Sequence, residues 1–97
     1  MSPLKNKKLQ KIRLDLDKLD NSLIKLIKKR TTLVKKVLKL KDKRNQIVDQ
    51  KRIRTILRNI KNKSIKNQID PKITNKIWKN MIFAYIDFEK RNFKKKK

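Results

Sequence analysis

Cysteine, histidine and glycine are all absent from this 97-residue sequence, and acidic side chains are scarce, with eight Asp and Glu in total. Without Cys there is no disulfide, no thiolate nucleophile and no redox clue to compartment. Without His the chain lacks the commonest general base and metal ligand. The few carboxylates are scattered, and none follows the spacing of a metal-binding loop. No apolar run approaches the ~20 residues of a membrane span. The first residues, Met-Ser-Pro-Leu-Lys-Asn-Lys-Lys, have no apolar signal-peptide core. A cytoplasmic location is therefore the expectation, with no metal, no other cofactor and no membrane partner. An enzyme built from this inventory works by holding its substrate and by electrostatics.

What the chain has in abundance is positive charge, a net +24. Such a charge points to an anionic partner: nucleic acid, an anionic membrane or a small polyanionic substrate. Compositional drift explains the bulk of it more simply. Lys outnumbers Arg 25 to 7, Asn and Ile are heavily used, and Gly is missing, as a strong nucleotide bias would produce. Capture of an anionic ligand then comes as a by-product of the field.

The hydrophobic pattern predicts an all-α chain of three helices, the first very long. Residues 1–8 read as a basic, frayed lead-in, and a helix is expected from about Leu9 to about Lys41, with no Pro or Gly inside it. Its apolar stripe is Ile12, Leu16, Leu19, Leu23, Ile27, Val34 and Val37, spaced by threes, fours and one seven. At 1.5 Å per residue this helix is ~50 Å long. A compact monomer of this size has a radius of gyration near ~13 Å. Such a helix must protrude, and a second copy of the chain is the economical partner. Asp42 to Gln46 reads as a loop, and Asp49 as the N-cap of a second helix through Ile53, Ile56, Leu57 and Ile60. That stripe fades from Lys61 to Asn67. Asp70-Pro71 restarts the chain, an Asp cap with Pro at the first helical position, where its missing N–H costs nothing. The third helix carries Ile73, Ile77, Trp78, Met81, Ile82, Tyr85, Ile86 and Phe88, and ends near Phe93 before a basic tail over 94–97. The body of the domain is thus 9–93.

Several charges sit where a plain bundle has no use for them. Arg30 falls inside the apolar stripe of the first helix and Lys41 continues it. They lie eleven residues apart, three turns, so they share a face ~16 Å apart along the axis. The stripe Trp78, Ile82, Tyr85 extends by one step to Glu89, which puts a carboxyl on a burying face. Asp49 and Arg52 are one turn apart and can point the same way. Each has a plainer reading: the cations snorkel, Glu89 pairs with a cation near the chain end, Asp49 only caps. Together they weigh more, because they gather charge near the buried faces of three different helices. In a chain that defaults to Lys, Arg13, Arg30 and Arg52 also supply a planar fork that matches a carboxylate bidentately. Arg13 is ~25 Å and ~100° of rotation from Arg30, too far to serve the same small site from the same chain. From an antiparallel partner helix it can.

This ordered set resembles the all-helical chorismate mutase family (chorismate mutase type II, in its small monofunctional form), over about Leu9 to Phe93. The resemblance rests on Arg13, Asp20, Arg30 and Lys41 in the first helix, and on Ile47-Val48-Asp49-Gln50-Lys51-Arg52 at the start of the second. In the third it rests on Ile73, Ile77-Trp78, Met81-Ile82, Tyr85 and Glu89. It implies an intertwined homodimeric six-helix bundle with two equivalent sites. It also implies an isomerase that converts chorismate to prephenate in the biosynthesis of phenylalanine and tyrosine. Arg30 and the partner chain's Arg13 would bind the two carboxylates of the substrate. Lys41 would meet the ether oxygen and a carboxylate, and Glu89, where many members have Gln, would reach the ether oxygen from the other side. Asp49 and Arg52 would line the hydroxyl end, and Tyr85 stands where a small residue is common. The sequence departs from the family at Ile53, where a Glu often binds the substrate hydroxyl, and at Glu89, which donates to an ether oxygen only when protonated.

The implied reaction suits the inventory, since a unimolecular rearrangement needs no nucleophile, metal or cofactor, only orientation and donors aimed at the developing charge. One alternative is an isochorismate pyruvate-lyase on the same scaffold, which binds a near-identical dianion. An alternative of another class is a basic helical nucleic-acid binder. That accounts for +24 but not for Glu89 on an apolar face, and the single Trp and Tyr look like core rather than stacking platforms. A purely structural dimer is the third.

Overall fold

The computed structural model describes residues 1–94. It contains three α-helices, α1 (Pro3–Leu40), α2 (Gln50–Lys66) and α3 (Pro71–Asn92), with one 3-10 turn at Arg44–Gln46 and no strand among the described residues. The expected all-α class and the long first helix are both present. Of the expected tail, Lys94 is exposed and 95–97 lie outside the described residues.

α1 starts six residues before the expected Leu9. Ser2 is the reason: its hydroxyl accepts from the Lys5 amide at 3.3 Å and its carbonyl from the Asn6 amide at 2.9 Å. With Pro3 in the first helical position, this is the same start signal as Asp70-Pro71. Residues 3–8 are therefore helical rather than a frayed lead-in.

The chain divides into two compact units, Met1–Leu33 and Val34–Lys97. The first is helix alone. Its apolar stripe is exposed along its length, from Ile12 at 57% through Leu19 at 60% to Ile27 at 46%. The expected burying face therefore finds no cover within this unit. Ile12, Leu16, Leu19, Leu23 and Leu26 are all exposed and step by four, three, four and three, the spacing of a coiled-coil seam.

In the second unit α2 packs on α3. Ile53, Ile56, Leu57 and Ile60 turn half-buried faces inward, as do Trp78, Met81, Tyr85 and Phe88 of α3. Among the described residues the buried apolar side chains are Ile47 and Ile82, at 3% and 7% exposure, so the core is small. At the end of α1 the half-buried positions are Val34 and Leu38, followed by Lys41 just past the helix, whereas the expected Val37 is 48% exposed.

α2 does not fade at Lys61 but runs to Lys66. Lys is a good helix former, and the inward stripe continues one step past Ile60 to a hydroxyl. Ser64 is buried, its Oγ 2.6 Å from the Ile60 carbonyl and 2.6 Å from Thr74 Oγ1 on α3. A buried polar residue with partners on both sides holds the two helices together where an apolar pattern ends.

The end of α2 is a Schellman motif: the Ile69 amide donates to the Ser64 carbonyl at 2.8 Å and the Gln68 amide to the Ile65 carbonyl at 3.1 Å. This motif needs a left-handed residue, and Gln68 supplies it at φ 59°. Glycine is the residue that takes this conformation without cost, and the chain has none. Gln68→Gly is expected to stabilise the protein by about 1 kcal/mol. In a domain of this size that raises Tm by roughly 4–8 °C, readable by thermal unfolding.

Candidate active site

Lys41 and Glu89 are 48 positions apart in sequence, and the fold brings them together. Lys41 is the first residue past α1, its amide donating to the Leu38 carbonyl at 3.1 Å. Glu89 lies in the last turn of α3 and is 6% exposed. The Lys41 ammonium donates to Glu89 Oε2 at 3.4 Å, with side-chain exposures of 18% and 9%. It also donates to the backbone carbonyl of Ile47 at 3.4 Å. Both distances exceed the 2.7–2.9 Å typical of a tight charge-assisted bond. The ammonium therefore rests in a cradle of two loose acceptors.

The pairing answers a question that each residue raises alone. A carboxylate buried among apolar side chains is costly without a partner, and so is an ammonium. Here each offsets the other. Glu89 does pair with a cation, although with one on α1's end rather than near the chain end.

Tyr85 is half-buried one turn before Glu89, on the same face of α3. Asp49 caps α2, its Oδ1 accepting from the Arg52 amide at 3.0 Å. It engages Arg52 through the backbone and leaves the guanidinium on an exposed side chain in the first turn. Ile53 is half-buried one residue on, an apolar side chain where the family resemblance calls for a carboxylate. Arg13 and Arg30 lie on α1, the first exposed and the second half-buried. Seventeen residues of helix separate them by ~25 Å along the axis, so one chain does not bring both to one small ligand.

Sequence reasoning missed the segment between α1 and α2, which it read as a plain polar loop. Gln46 Oε1 accepts from the amides of Asp42 at 2.7 Å and Lys43 at 2.9 Å. The Arg44 guanidinium donates to the Lys90 carbonyl at 3.1 Å, next to Glu89 in the chain. Ile47, at 3% exposure, anchors the segment. Gln46 stands three residues after Lys43, the N-cap of the turn, but a lysine cannot accept there, so the sequence shows only the Gln half of a capping box. An acceptor that is a backbone carbonyl carries no residue-type signal at all.

Among the described residues no group of three or more His, Cys, Asp or Glu side chains is placed to hold a metal ion. No helix among them is long and apolar enough to cross a membrane.

The model of the family described as chorismate mutase type II matches residues 12–90, most of the sequence. The chain belongs to the chorismate mutase type II family. No curated protein and no solved structure matches it. The family match begins at Ile12 and ends at Lys90, so it takes in Arg13, Arg30, Lys41, Asp49, Arg52, Tyr85 and Glu89.

Proposed function

We propose that this chain is a cytoplasmic chorismate mutase that rearranges chorismate to prephenate, with 9–93 as its domain and an intertwined homodimer as its working form. The observation that carries the reading is the convergence of Lys41 and Glu89 at 3.4 Å within the span of the family match. In the rearrangement the ether C–O bond breaks as a C–C bond forms, and negative charge grows on the ether oxygen. A donor already aimed at that position lowers the barrier without moving. The Lys41 ammonium is such a donor, because its loose bonds to Glu89 and to the Ile47 carbonyl leave it able to take a third acceptor.

Arg30 and the partner chain's Arg13 bind the two carboxylates in this reading, and Asp49, Arg52 and Tyr85 line the rest of the pocket. The support for the dimer is the uncovered seam of α1, whose apolar residues from Ile12 to Leu26 are about half exposed in the single chain. A contiguous apolar surface of that kind marks an association site. The reaction and the dimer need no cofactor.

The test is to incubate the protein with chorismate and with isochorismate side by side. Prephenate from chorismate is the expected product. Free pyruvate from isochorismate, without prephenate, would make it a lyase on the same scaffold. Tight binding of duplex DNA at physiological salt with both substrates untouched would make it a nucleic-acid binder, since non-specific phosphate contacts weaken steeply with salt.

Glu89 carries its own prediction. As a carboxylate it only accepts, as it does from Lys41; to donate to an ether oxygen it must be protonated. A neutral side chain that donates is what the ether oxygen calls for at this position, and glutamine supplies one. Glu89→Gln keeps the shape and adds an amide that donates, so kcat/KM is expected to be retained or raised. A folded Glu89→Gln enzyme with kcat/KM far below wild type would sink the donor role.

A further inference from the structure

We propose that Gln46, braced by Arg44, is a positioning residue that sets where the Lys41 ammonium sits. The inference rests on the reading of Lys41 as the donor to the ether oxygen and goes beyond it, to what aims that donor.

A lysine is a poor choice for a precise donor unless something fixes it, because its flexible four-carbon stem gives the ammonium many rotamers. Neither of its two acceptors is close enough to do this by itself, both standing at 3.4 Å. The restraint lies in the backbone. The chain leaves α1 at Leu40 and must turn within a few residues to place Ile47 back beside Lys41. Gln46 closes that turn. Its single Oε1 takes the two amides that follow Lys41, at 2.7 and 2.9 Å, among the shortest side-chain bonds in the segment. The Gln46 amide itself donates to the Lys43 carbonyl at 3.0 Å and the Ile47 amide to the Arg44 carbonyl at 3.1 Å. This ring of bonds ties the Lys41 end of the segment to the Ile47 carbonyl that receives its ammonium.

Arg44 joins the ring to the other acceptor. Its bond to the Lys90 carbonyl fastens the turn to α3 one residue beyond Glu89. The two acceptors of the Lys41 ammonium therefore sit on elements that Gln46 and Arg44 hold at a fixed spacing. Neither residue reaches the reacting atoms. They act through Lys41.

Gln46 serves only as an acceptor toward the backbone amides, and this gives a sharp pair of variants. Gln46→Met keeps the length and loses the acceptor, whereas Gln46→Glu keeps an oxygen that takes the same two amides. Gln46→Met is expected to lower kcat ~10-fold with KM nearly unchanged, since a small misplacement of a catalytic group is costly. Gln46→Glu should restore most of the rate. Hydrogen exchange at the Asp42 and Lys43 amides should quicken in Gln46→Met and not in Gln46→Glu. On a Lys41→Ala background, Gln46→Met should cause no further loss of kcat, because residues that act through one group are non-additive.

Wild-type kcat in folded Gln46→Met overturns the proposal while leaving Lys41's role intact, provided Lys41→Ala is impaired. A full further loss on the Lys41→Ala background also overturns it, in favour of a general structural role. Lys41→Ala as active as wild type removes the reading of Lys41 itself, and the brace with it. If Gln46→Met does not fold, the exposed Arg44 replaces it: Arg44→Ala should lower kcat several-fold, with Arg44→Lys retaining more of the rate. Equal, wild-type kcat in both overturns the brace.

Discussion

Replacing Lys41 with Ala is expected to lower kcat by ~10²–10³, the loss seen when one preorganised donor to a developing oxyanion is removed. KM should change less, because Arg30 and the partner chain's Arg13 still hold the substrate's two carboxylates. The ammonium acts on charge that grows only as the ether bond breaks, so its removal falls on the transition state more than on the ground state. Lys41→Arg keeps the charge but brings a larger planar head and a longer reach, and should recover only part of the rate. Lys41→Ala also strips the buried Glu89 of its cation. Breaking a buried pair costs several kcal/mol when the remaining charge stays ionised, although here Lys41 keeps some solvent access and the cost is smaller. Circular dichroism and gel filtration must therefore accompany the kinetics. A folded Lys41→Ala variant with wild-type kcat would exclude the mechanism proposed here.

The parts of the fold that were legible in the sequence are those in which side-chain type and spacing carry the information. Asp70-Pro71 marks the start of α3, and Asp49 the start of α2, because capping needs a particular side chain at a particular place. The stripe Trp78, Ile82, Tyr85, Glu89 could be followed because helical periodicity puts all four on one face, and Ile82 and Glu89 are indeed buried. Glu89 was conspicuous because it broke the chemistry of that face without breaking its spacing. Ser2-Pro3 carried the same signal as Asp70-Pro71, but the run of lysines after it suggested fraying. The last turn of α2 was obscured for a related reason: Ser64 is polar, yet it faces inward because Thr74 and the Ile60 carbonyl satisfy it. The cradle of Lys41 was not legible, since one of its two acceptors is the backbone of Ile47. A left-handed Gln68 was equally hidden, because nothing about Gln announces that conformation where glycine is expected.

The two arginines of α1 give the most decisive test of whether two chains share their active sites. If Arg30 serves its own chain's pocket and Arg13 the partner's, Arg13→Ala and Arg30→Ala homodimers each lose one carboxylate clamp at both sites. Each should fall ~10² or more in kcat/KM, the cost of a lost charge-assisted clamp in a preorganised site. Unfolding the two variants together and refolding them at equal concentration gives dimers in a 1:2:1 ratio under random assembly. In the mixed dimer, the chain that keeps Arg30 receives Arg13 from its partner, which restores one complete site. The other site lacks both arginines. Half of the dimers with one of two sites repaired predicts a recovery of about a quarter of wild-type activity, far above either variant alone. Chains that build their sites independently cannot complement in this way. A refolded mixture no more active than the average of the two variants would show that Arg13 does not cross to the partner's pocket. Recovery near a quarter requires both that the seam from Ile12 to Leu26 is covered by a second copy and that the copies run antiparallel, because only then does position 13 of one helix reach the region of position 30 of the other. The same α1 then has two roles, since the residues that close the dimer also carry the side chain that completes the neighbouring site.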